Sequence, residues 1–207
     1  LRLVAAGGSV TAGARLADKS ERYDVRYASW LRSHFGLEVE VINAGHGARN
    51  SLHSALFADA ILPGAADIIV WEFSLNDLSP RSHTGCCKPS DMRFMLEQWL
   101  LRVARHPSRP LVIIAYLWSS PIYSSDASLL QDAYRATADV GERFPFVVGT
   151  VNVAEALGRQ GLSVERLAAK YTNDQRHPNG AGHGVMSDLL AQLTMRAVDD
   201  ELPPSAV

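Results

Sequence analysis

Five short apolar segments, each separated from the next by a longer stretch of mixed polarity, constrain the fold of this chain more than any other feature. The segments are rich in Val and Ile, are too short for core helices, and are bounded by Gly, Pro or polar residues. They lie at Leu1–Ala5, Glu38–Asn43, Asp67–Phe73, Leu111–Trp118 and Phe146–Val151. We therefore predict five buried strands.

The stretches between these strands carry helical periodicity. In one of them Met92, Leu96, Trp99 and Val103 recur at helical spacing, which indicates a stripe that faces the core. Helices are predicted at Tyr23–Phe35, Ser51–Leu62, Asp91–His106, Ala127–Phe144 and Gly180–Val198. Strands that are apolar on both faces and alternate with helices are typical of a parallel sheet covered on both sides, so the predicted fold class is α/β.

Length and charge favour one globular domain and exclude several classes of partner. The chain has 207 residues without an internal repeat or a linker rich in Pro, Gly or Ser, so we expect a single domain over residues 1–207. Twenty Lys and Arg against 22 Asp and Glu give a net charge of -2, and we expect no nucleic-acid partner. The longest apolar runs fall far short of the roughly 20 residues of a transmembrane helix, so no transmembrane segment is expected.

The start of the chain and its cysteines say little about compartment. The first residue is Leu1 rather than Met, and no signal sequence precedes it, so we expect a processed or excised domain. The two cysteines, Cys86 and Cys87, are adjacent, so they cannot build a disulfide framework or a four-ligand zinc site, and their redox state stays open. The histidines form no metal-binding pattern with them, and no metal site is expected.

The first candidate for chemistry is Ser9, which follows the first predicted strand within the sequence GGSVTAG at residues 7–13. Ligands of parallel sheets bind beyond the carboxyl ends of the strands, where this serine is expected to lie. The segment lacks the spacing of phosphate-binding loops, so nucleotide binding is not favoured. Taken alone, Ser9 would be interpreted as a helix N-cap or turn residue.

Two more polar segments lie near predicted strand ends. The sequence SLND at residues 74–77 follows the third strand, and DQRHPNG at residues 174–180 precedes the last helix. A carboxylate three residues before an imidazole, as in Asp174 and His177, can hold the ring by its Nδ1–H and leave Nε2 free to accept a proton from a serine. Taken alone, this segment also suits turn and capping chemistry, with Asn179 as the cap of the last helix.

Together the three segments resemble the SGNH or GDSL-type hydrolases, which are serine esterases on a flavodoxin-like three-layer α/β/α domain with a parallel sheet. The resemblance spans almost the whole chain. The family's nucleophile is a serine in a G-D-S-x-S/T setting, which corresponds to Ser9. Its G-x-N-D motif supplies an oxyanion-hole amide, which corresponds to Asn76. Its D-x-x-H motif supplies the orienting acid and the base, which correspond to Asp174 and His177.

The chain departs from these family motifs at two positions. Gly8 stands where the aspartate of G-D-S is typical, and Ser74 stands where the glycine of G-x-N-D is typical. Neither is a group that transfers a proton in the generic mechanism. We therefore expect activity, with a different immediate support of Ser9.

A further segment, NAGHGARNS at residues 43–51, is similar to an N-x-G-x-x-G pattern whose last glycine donates its N–H to the oxyanion hole. That position is Ala48 here, with Gly47 before it, and the sequence does not choose between them. The expected oxyanion hole comprises the N–H of Ser9, the N–H of Gly47 or Ala48, and the side-chain amide of Asn76. His46 and Arg49 on the same loop are candidates for facing the substrate.

The resemblance implies a serine esterase that needs no cofactor, with a small-molecule or glycan ester as its substrate. We expect removal of a small acyl group, usually acetyl, from a carbohydrate, because the strand-end loops carry Ser, His, Arg and Asn rather than a long apolar lid. Alternatives are a lipase or lysophospholipase, an acyltransferase on the same residues, and a non-catalytic glycan-binding domain. An extracellular or secretory location is favoured by resemblance only, and the oligomeric state stays open.

Overall fold

The structure is a computed structural model that describes residues 1–78, 88–118 and 127–201. Cys86 and Cys87 lie outside the described residues. The described strands form one parallel sheet in the order β2-β1-β3-β4-β5. They are β1 Arg2–Gly7, β2 Glu40–Gly45, β3 Ile68–Glu72, β4 Leu111–Tyr116 and β5 Val147–Asn152. The predicted strands are thus present, and this order is the flavodoxin-like arrangement, so the predicted fold class is confirmed.

Helices connect the strands and cover both faces of the sheet. They are α1 Tyr23–Phe35, α2 Ser51–Leu56, α3 Ala58–Ile61, α4 Ser74–Asp77, α5 Pro89–Val103, α6 Ala127–Gly141, α7 Val153–Gly158, α8 Val164–Tyr171 and α9 Gly180–Glu201, with a 3-10 helix at Lys19–Glu21. The helices predicted from residues 23, 91, 127 and 180 are present, with ends displaced by no more than three residues. No helix in the described part of the chain is long and apolar enough to cross a membrane.

The prediction of one helix over Ser51–Leu62 is wrong. The helix breaks at Phe57, whose φ of -115° and ψ of 29° are not helical, and α3 begins after it. The buried positions Ser51, Ser54 and Ala58 keep helical spacing across the break. A periodic pattern is insensitive to one non-helical residue, which is why the sequence did not reveal the break.

The core consists of two apolar layers, one on each face of the sheet. On one face, strand residues such as Leu3 and Ile113 pack with Tyr27 of α1 and Leu190 of α9. On the other face, Trp71 of β3 packs with α5, and its ring lies 6.3 Å from that of Trp99. The alternation of the strand residues between two buried faces follows from the two-residue period of a strand, and it produces the three-layer α/β/α arrangement.

The strand register brings three chain segments to one place on the sheet edge. Gly7 at the end of β1 pairs with Gly45 of β2 and with Glu72 of β3. Position 7 must be glycine, because a Cβ there would lie 2.1 Å from Thr11 Oγ1 and 2.4 Å from the Glu72 carbonyl oxygen. The chain can therefore fold back over the end of β1, which places Ser9 above the point where β1 meets β3.

Candidate active site

Ser9 lies two residues beyond β1, at the start of a tight turn. The Ser9 carbonyl accepts the Ala14 N–H at 2.8 Å, and the side chain is half-buried between the buried residues Gly8 and Val10. The turn is braced from β2, because Asn43 Nδ2 donates to the Thr11 carbonyl at 2.7 Å. The serine hydroxyl is thus held at the surface by a fixed backbone.

His177 and Asp174 lie beside this serine, although 168 positions separate Ser9 from His177 in the sequence. Ser9 Oγ is 3.1 Å from His177 Nε2, and His177 Nδ1 is 2.7 Å from Asp174 Oδ2. With Nδ1–H donating to the carboxylate, Nε2 is the acceptor for the serine hydroxyl. The three side chains therefore form one continuous chain of hydrogen bonds.

The loop that carries His177 is closed on itself and tied to the serine turn. Asn173 N–H donates to the His177 carbonyl at 2.9 Å, and Asn173 Nδ2 donates to the Arg15 carbonyl at 2.9 Å. Asn179 Oδ1 accepts the Gly182 N–H at 3.0 Å, so the predicted cap of α9 is confirmed. These bonds hold the far end of the chain against its beginning.

The carboxyl group of Asp174 is favoured in its charged form. Partial burial alone would raise its pKa, but the backbone N–H and ring N–H of His177 and the N–H of Arg176 donate to it and bring the pKa below its ordinary value. Arg15 Nε also lies 3.6 Å from Asp174 Oδ2. Asp174 is therefore ionised at neutral pH and keeps the His177 ring in the tautomer that accepts from Ser9.

Asn76, in the single turn of α4, projects toward the serine turn. Asn76 Nδ2 donates one hydrogen bond to the Arg49 carbonyl at 2.6 Å and lies in the space that a side chain on Gly8 would occupy. An amide nitrogen carries two hydrogens, so a second donor remains for a ligand beside Ser9. Asp77, next in the chain, accepts from the N–H and the hydroxyl of Ser51 at 3.0 and 2.8 Å, and so fixes α4 to the start of α2.

The loop after β2 brings Gly47 and Ala48 to the same edge. His46 N–H donates to the Gly7 carbonyl at 3.0 Å, which anchors the loop to β1. Ala48 has a φ of 61°, a left-handed conformation that favours glycine. Within the described residues, no hydrogen bond uses the N–H of Gly47 or of Ala48. Both remain candidates for the second backbone donor.

Glu72 is a residue of this site that the sequence reasoning missed. It ends β3 and is buried, and its Oε2 accepts from the Thr11 hydroxyl at 2.8 Å and from the N–H groups of Gly8 and Thr11 at 3.3 Å each. Burial raises the pKa of Glu72 to about 8, although these hydrogen bonds oppose the shift. The available sequence feature was a carboxyl residue near the end of a predicted apolar strand, two positions before the residue 74–77 motif.

His183, the histidine nearest to the residue 174–180 segment, is not in contact with Ser9. It is buried, stacks on the Tyr23 ring, and accepts the Tyr23 N–H at Nδ1 at 3.2 Å, so it both packs against α1 and caps it. Burial, followed by the nearby charges of Arg26, Arg22 and Lys19, lowers the pKa of His183 to about 4. Its role in the structure is that of a neutral imidazole.

A cavity of about 400 Å³ adjoins the loop after β2. His46 and Arg49 line it together with apolar residues that include Phe57, Ile61 and Phe73. The Arg49 guanidinium lies 5.9 Å from the centre of the Phe57 ring. Both candidate substrate-facing residues thus border a space that a small organic group could enter. Across the described part of the chain, no group of three His, Cys, Asp or Glu side chains is placed to hold a metal ion.

A model of the GDSL-like lipase/acylhydrolase family matches residues 5–185. No curated protein matches the sequence significantly.

Several solved structures share the fold. A two-domain esterase described as active on acetylated mannans is 19% identical with a TM-score of 0.73, and the match covers 100% of this chain and 52% of that one, so this chain spans about half its length. An alpha/beta hydrolase from the metagenome of Lake Arreo is 21% identical with a TM-score of 0.75, over 94% of each chain. An acetylxylan esterase from Geobacillus stearothermophilus is 14% identical with a TM-score of 0.73, over 93% of each chain. At these identities the likeness establishes the fold alone.

Proposed function

We propose, since the chain belongs to the GDSL-like lipase/acylhydrolase family, that it is a carboxylic ester hydrolase and that Ser9, His177 and Asp174 are its catalytic triad. The observation that carries the proposal is the pair of contacts at 3.1 and 2.7 Å that joins the three side chains in order. A hydroxyl, a base and a group that fixes the base are what acyl transfer requires.

The reaction proceeds in two halves. Ser9 Oγ attacks the ester carbonyl while His177 Nε2 takes its proton, and the tetrahedral intermediate collapses when His177 returns that proton to the leaving alkoxide. Water then attacks the acyl group on Ser9 with His177 again as the base, and the acid leaves. Asp174 stays ionised throughout and stabilises the imidazolium.

Three donors stabilise the negative charge on the carbonyl oxygen in this proposal. They are the N–H of Ser9, the N–H of Gly47 or Ala48, and the second hydrogen of Asn76 Nδ2. The bond from Asn76 to the Arg49 carbonyl supports this assignment, because it orients the amide before the substrate arrives. Donors that are already oriented need no reorganisation as charge develops.

The triad is tested by comparing wild type with Ser9→Ala in the release of p-nitrophenol from p-nitrophenyl acetate. Ser33→Ala serves as the matched control, because Ser33 is an exposed serine whose hydroxyl donates to the Trp30 carbonyl. We expect Ser9→Ala to lose at least about 1,000-fold in kcat and Ser33→Ala to lose nothing. An organophosphate should label wild type once, at Ser9. Equal rates for wild type and Ser9→Ala, or a label on another serine, would remove Ser9 from the mechanism.

For the substrate, we propose a small acyl group, usually acetyl, on a carbohydrate. The polar composition of the strand-end loops supports this, as do two proteins of the same fold, one described as active on acetylated mannans and one an acetylxylan esterase. An acetyl group needs little room beside Ser9, and sugar hydroxyls suit polar loops.

A lipase or lysophospholipase activity is the second candidate, and one observation favours it. The cavity beside Arg49 is lined in part by apolar side chains, and Leu56 and Phe57 near it are 59% and 51% exposed. Comparison of kcat/KM on acetate, butyrate and octanoate esters separates the two. A fall from acetate to octanoate supports the carbohydrate acetyl substrate, and a clear preference for octanoate contradicts it.

A further inference from the structure

The buried carboxyl of Glu72 joins the two sides of the Ser9 turn. Its Oε2 receives the Gly8 N–H before the serine, and the Thr11 N–H and hydroxyl after it. The Gly8 N–H is shared with the Glu72 carbonyl oxygen at 3.0 Å, so strand pairing and the side chain act on the same group. One residue of β3 therefore sets where the turn begins and where it folds back.

The surroundings leave this carboxyl little freedom. Thr11 Oγ1 also lies 2.9 Å from the Tyr23 hydroxyl, which links the turn through Thr11 to α1. A Cβ on Gly7 would lie 2.7 Å from Glu72 Oε2, so backbone and carboxyl are in close contact. Gly8 itself has no side chain that could support the turn. Three hydrogen bonds of the turn, from the Gly8 N–H, the Thr11 N–H and the Thr11 hydroxyl, therefore converge on Glu72.

We propose that Glu72 is the positioning residue of the nucleophile turn, and that through its hydrogen bonds to Gly8 and Thr11 it orients the Ser9 N–H and hydroxyl. This inference rests on the proposed function, because it takes Ser9 as the nucleophile. Glu72 acts through Gly8 and Thr11 and makes no contact with the reacting atoms.

The surroundings of Glu72 also favour its neutral form, which adds no charge behind the oxyanion. Burial and, to a smaller extent, the negative charge of Asp77 on α4 raise its pKa to about 8, although the hydrogen bonds from Thr11 and Gly8 oppose the shift. The group that faces it from α1 is the Tyr23 phenol, whose own pKa lies well above the ordinary value because of burial. Within the described residues, no ion pair involves Glu72. Ionisation of Glu72 would bring a negative charge next to the donors that must stabilise the oxyanion, and such a charge opposes the reaction.

Two substitutions distinguish the effect of the Glu72 hydrogen-bond acceptor from that of its side-chain volume. Glu72→Gln keeps the shape and a carbonyl oxygen that can accept from Gly8 and Thr11, whereas Glu72→Leu keeps the approximate volume and removes the acceptor. We expect kcat on p-nitrophenyl acetate at pH 7 to stay within about threefold of wild type for Glu72→Gln, and to fall about 100-fold for Glu72→Leu with KM within about twofold. Ser54→Ala, which removes a buried hydroxyl that accepts from Trp71 Nε1 at 3.2 Å, is the control for general destabilisation and should leave kcat unchanged.

The pH profile tests the inference even where Glu72→Leu fails to fold. Wild-type kcat should decline by at least about tenfold as pH rises through the pKa of Glu72 near 8, and Glu72→Gln should lack this decline. A decline that is the same in both proteins, or absent from wild type, overturns the inference. So does a Glu72→Leu protein with wild-type kcat.

The rate of Ser9→Ala distinguishes a failure of the Glu72 inference from a failure of the proposed catalytic triad. If Ser9→Ala is inactive while the Glu72 variants behave like wild type, the triad stands and the role of Glu72 is lost. If Ser9→Ala retains the wild-type rate, the triad itself is wrong and the Glu72 inference falls with it.

Discussion

Gly8 and Asn76 are packed so closely that a Cβ on residue 8 would lie 2.5 Å from Asn76 Nδ2. The same amide nitrogen is held by the Arg49 carbonyl at 2.6 Å, so it cannot move away without breaking that bond. The absence of a side chain at position 8 is therefore a condition for the orientation of Asn76. Gly8, which departs from the family's G-D-S sequence, therefore leaves the space that the proposed oxyanion donor Asn76 occupies.

Substitution of either residue should damage the same step. We expect Asn76→Ala to lower kcat about 100- to 1,000-fold with little change in KM, because a donor used mainly in the transition state is lost. Gly8→Ala should lower kcat by a similar factor, because the methyl group displaces the amide. Steady-state kinetics on p-nitrophenyl acetate measures both effects.

The double variant shows whether the two effects have one cause. In the Asn76→Ala background the amide is gone, so Gly8→Ala should cost no more than about a further threefold. Fully multiplicative losses would mean that the methyl group acts through something other than Asn76.

The strand-end location of the site was predictable from the sequence, and the reason is physical. Apolar segments of strand length fix a parallel sheet, and a parallel sheet brings the residues after its strands to one edge. Strand ends were less predictable. β1 continues through Gly7, because ladder hydrogen bonds use only the backbone and a glycine does not end them.

Glu72 could not have been found in this way. Its role comes from Thr11, a residue 61 positions away whose hydroxyl approaches only when the turn folds back over Gly7. A carboxyl residue within an apolar strand forms no periodic pattern and belongs to no sequence motif, so nothing in the sequence marks it as functional. The helix break at Phe57 was hidden for the opposite reason, because the burial period continues through it.

Asp174 is expected to act through the orientation and tautomer of His177. Asp174→Asn should lower kcat by about 1,000-fold or more with KM nearly unchanged, because an amide can donate to Nδ1 and favour the wrong tautomer. Arg15→Ala is the matched control, since Arg15 lies 3.6 Å from the same carboxylate but its side chain is 68% exposed. We expect it to change kcat less than about twofold. A loss in Arg15→Ala as large as that in Asp174→Asn would contradict the assignment.

His183 should make the fold sensitive to acid. Its folded pKa, about 4, is below the unfolded value of 6.5, so the unfolded chain binds more protons between these values and stability falls as pH drops through this window. At pH 5 the loss relative to pH 7 attributable to His183 is about 2 kcal/mol. His183→Asn keeps an acceptor for the Tyr23 N–H without the titration.

Urea unfolding at pH 7 and pH 5 measures this loss in wild type and His183→Asn. The difference in unfolding free energy between the two pH values should be smaller in the variant by that amount. An equal pH dependence in both proteins would assign the acid sensitivity to other groups.

Glu72 should act on stability in the opposite pH direction. Its folded pKa of about 8 exceeds the ordinary value of 4.5, so the folded protein binds more protons between these values, and the stabilising contribution is lost as pH rises through the window. Glu72→Gln removes this titration while keeping an acceptor for Thr11. The unfolding free energy of wild type should therefore fall relative to that of Glu72→Gln between pH 5 and pH 8, by a few kcal/mol at most.

Urea unfolding of both proteins at the two pH values measures this difference, with Ser54→Ala as a variant that should follow wild type. If the unfolding free energies of wild type and Glu72→Gln change with pH in the same way, Glu72 is already ionised in the folded protein. The inference of a neutral acid behind the oxyanion would then be wrong.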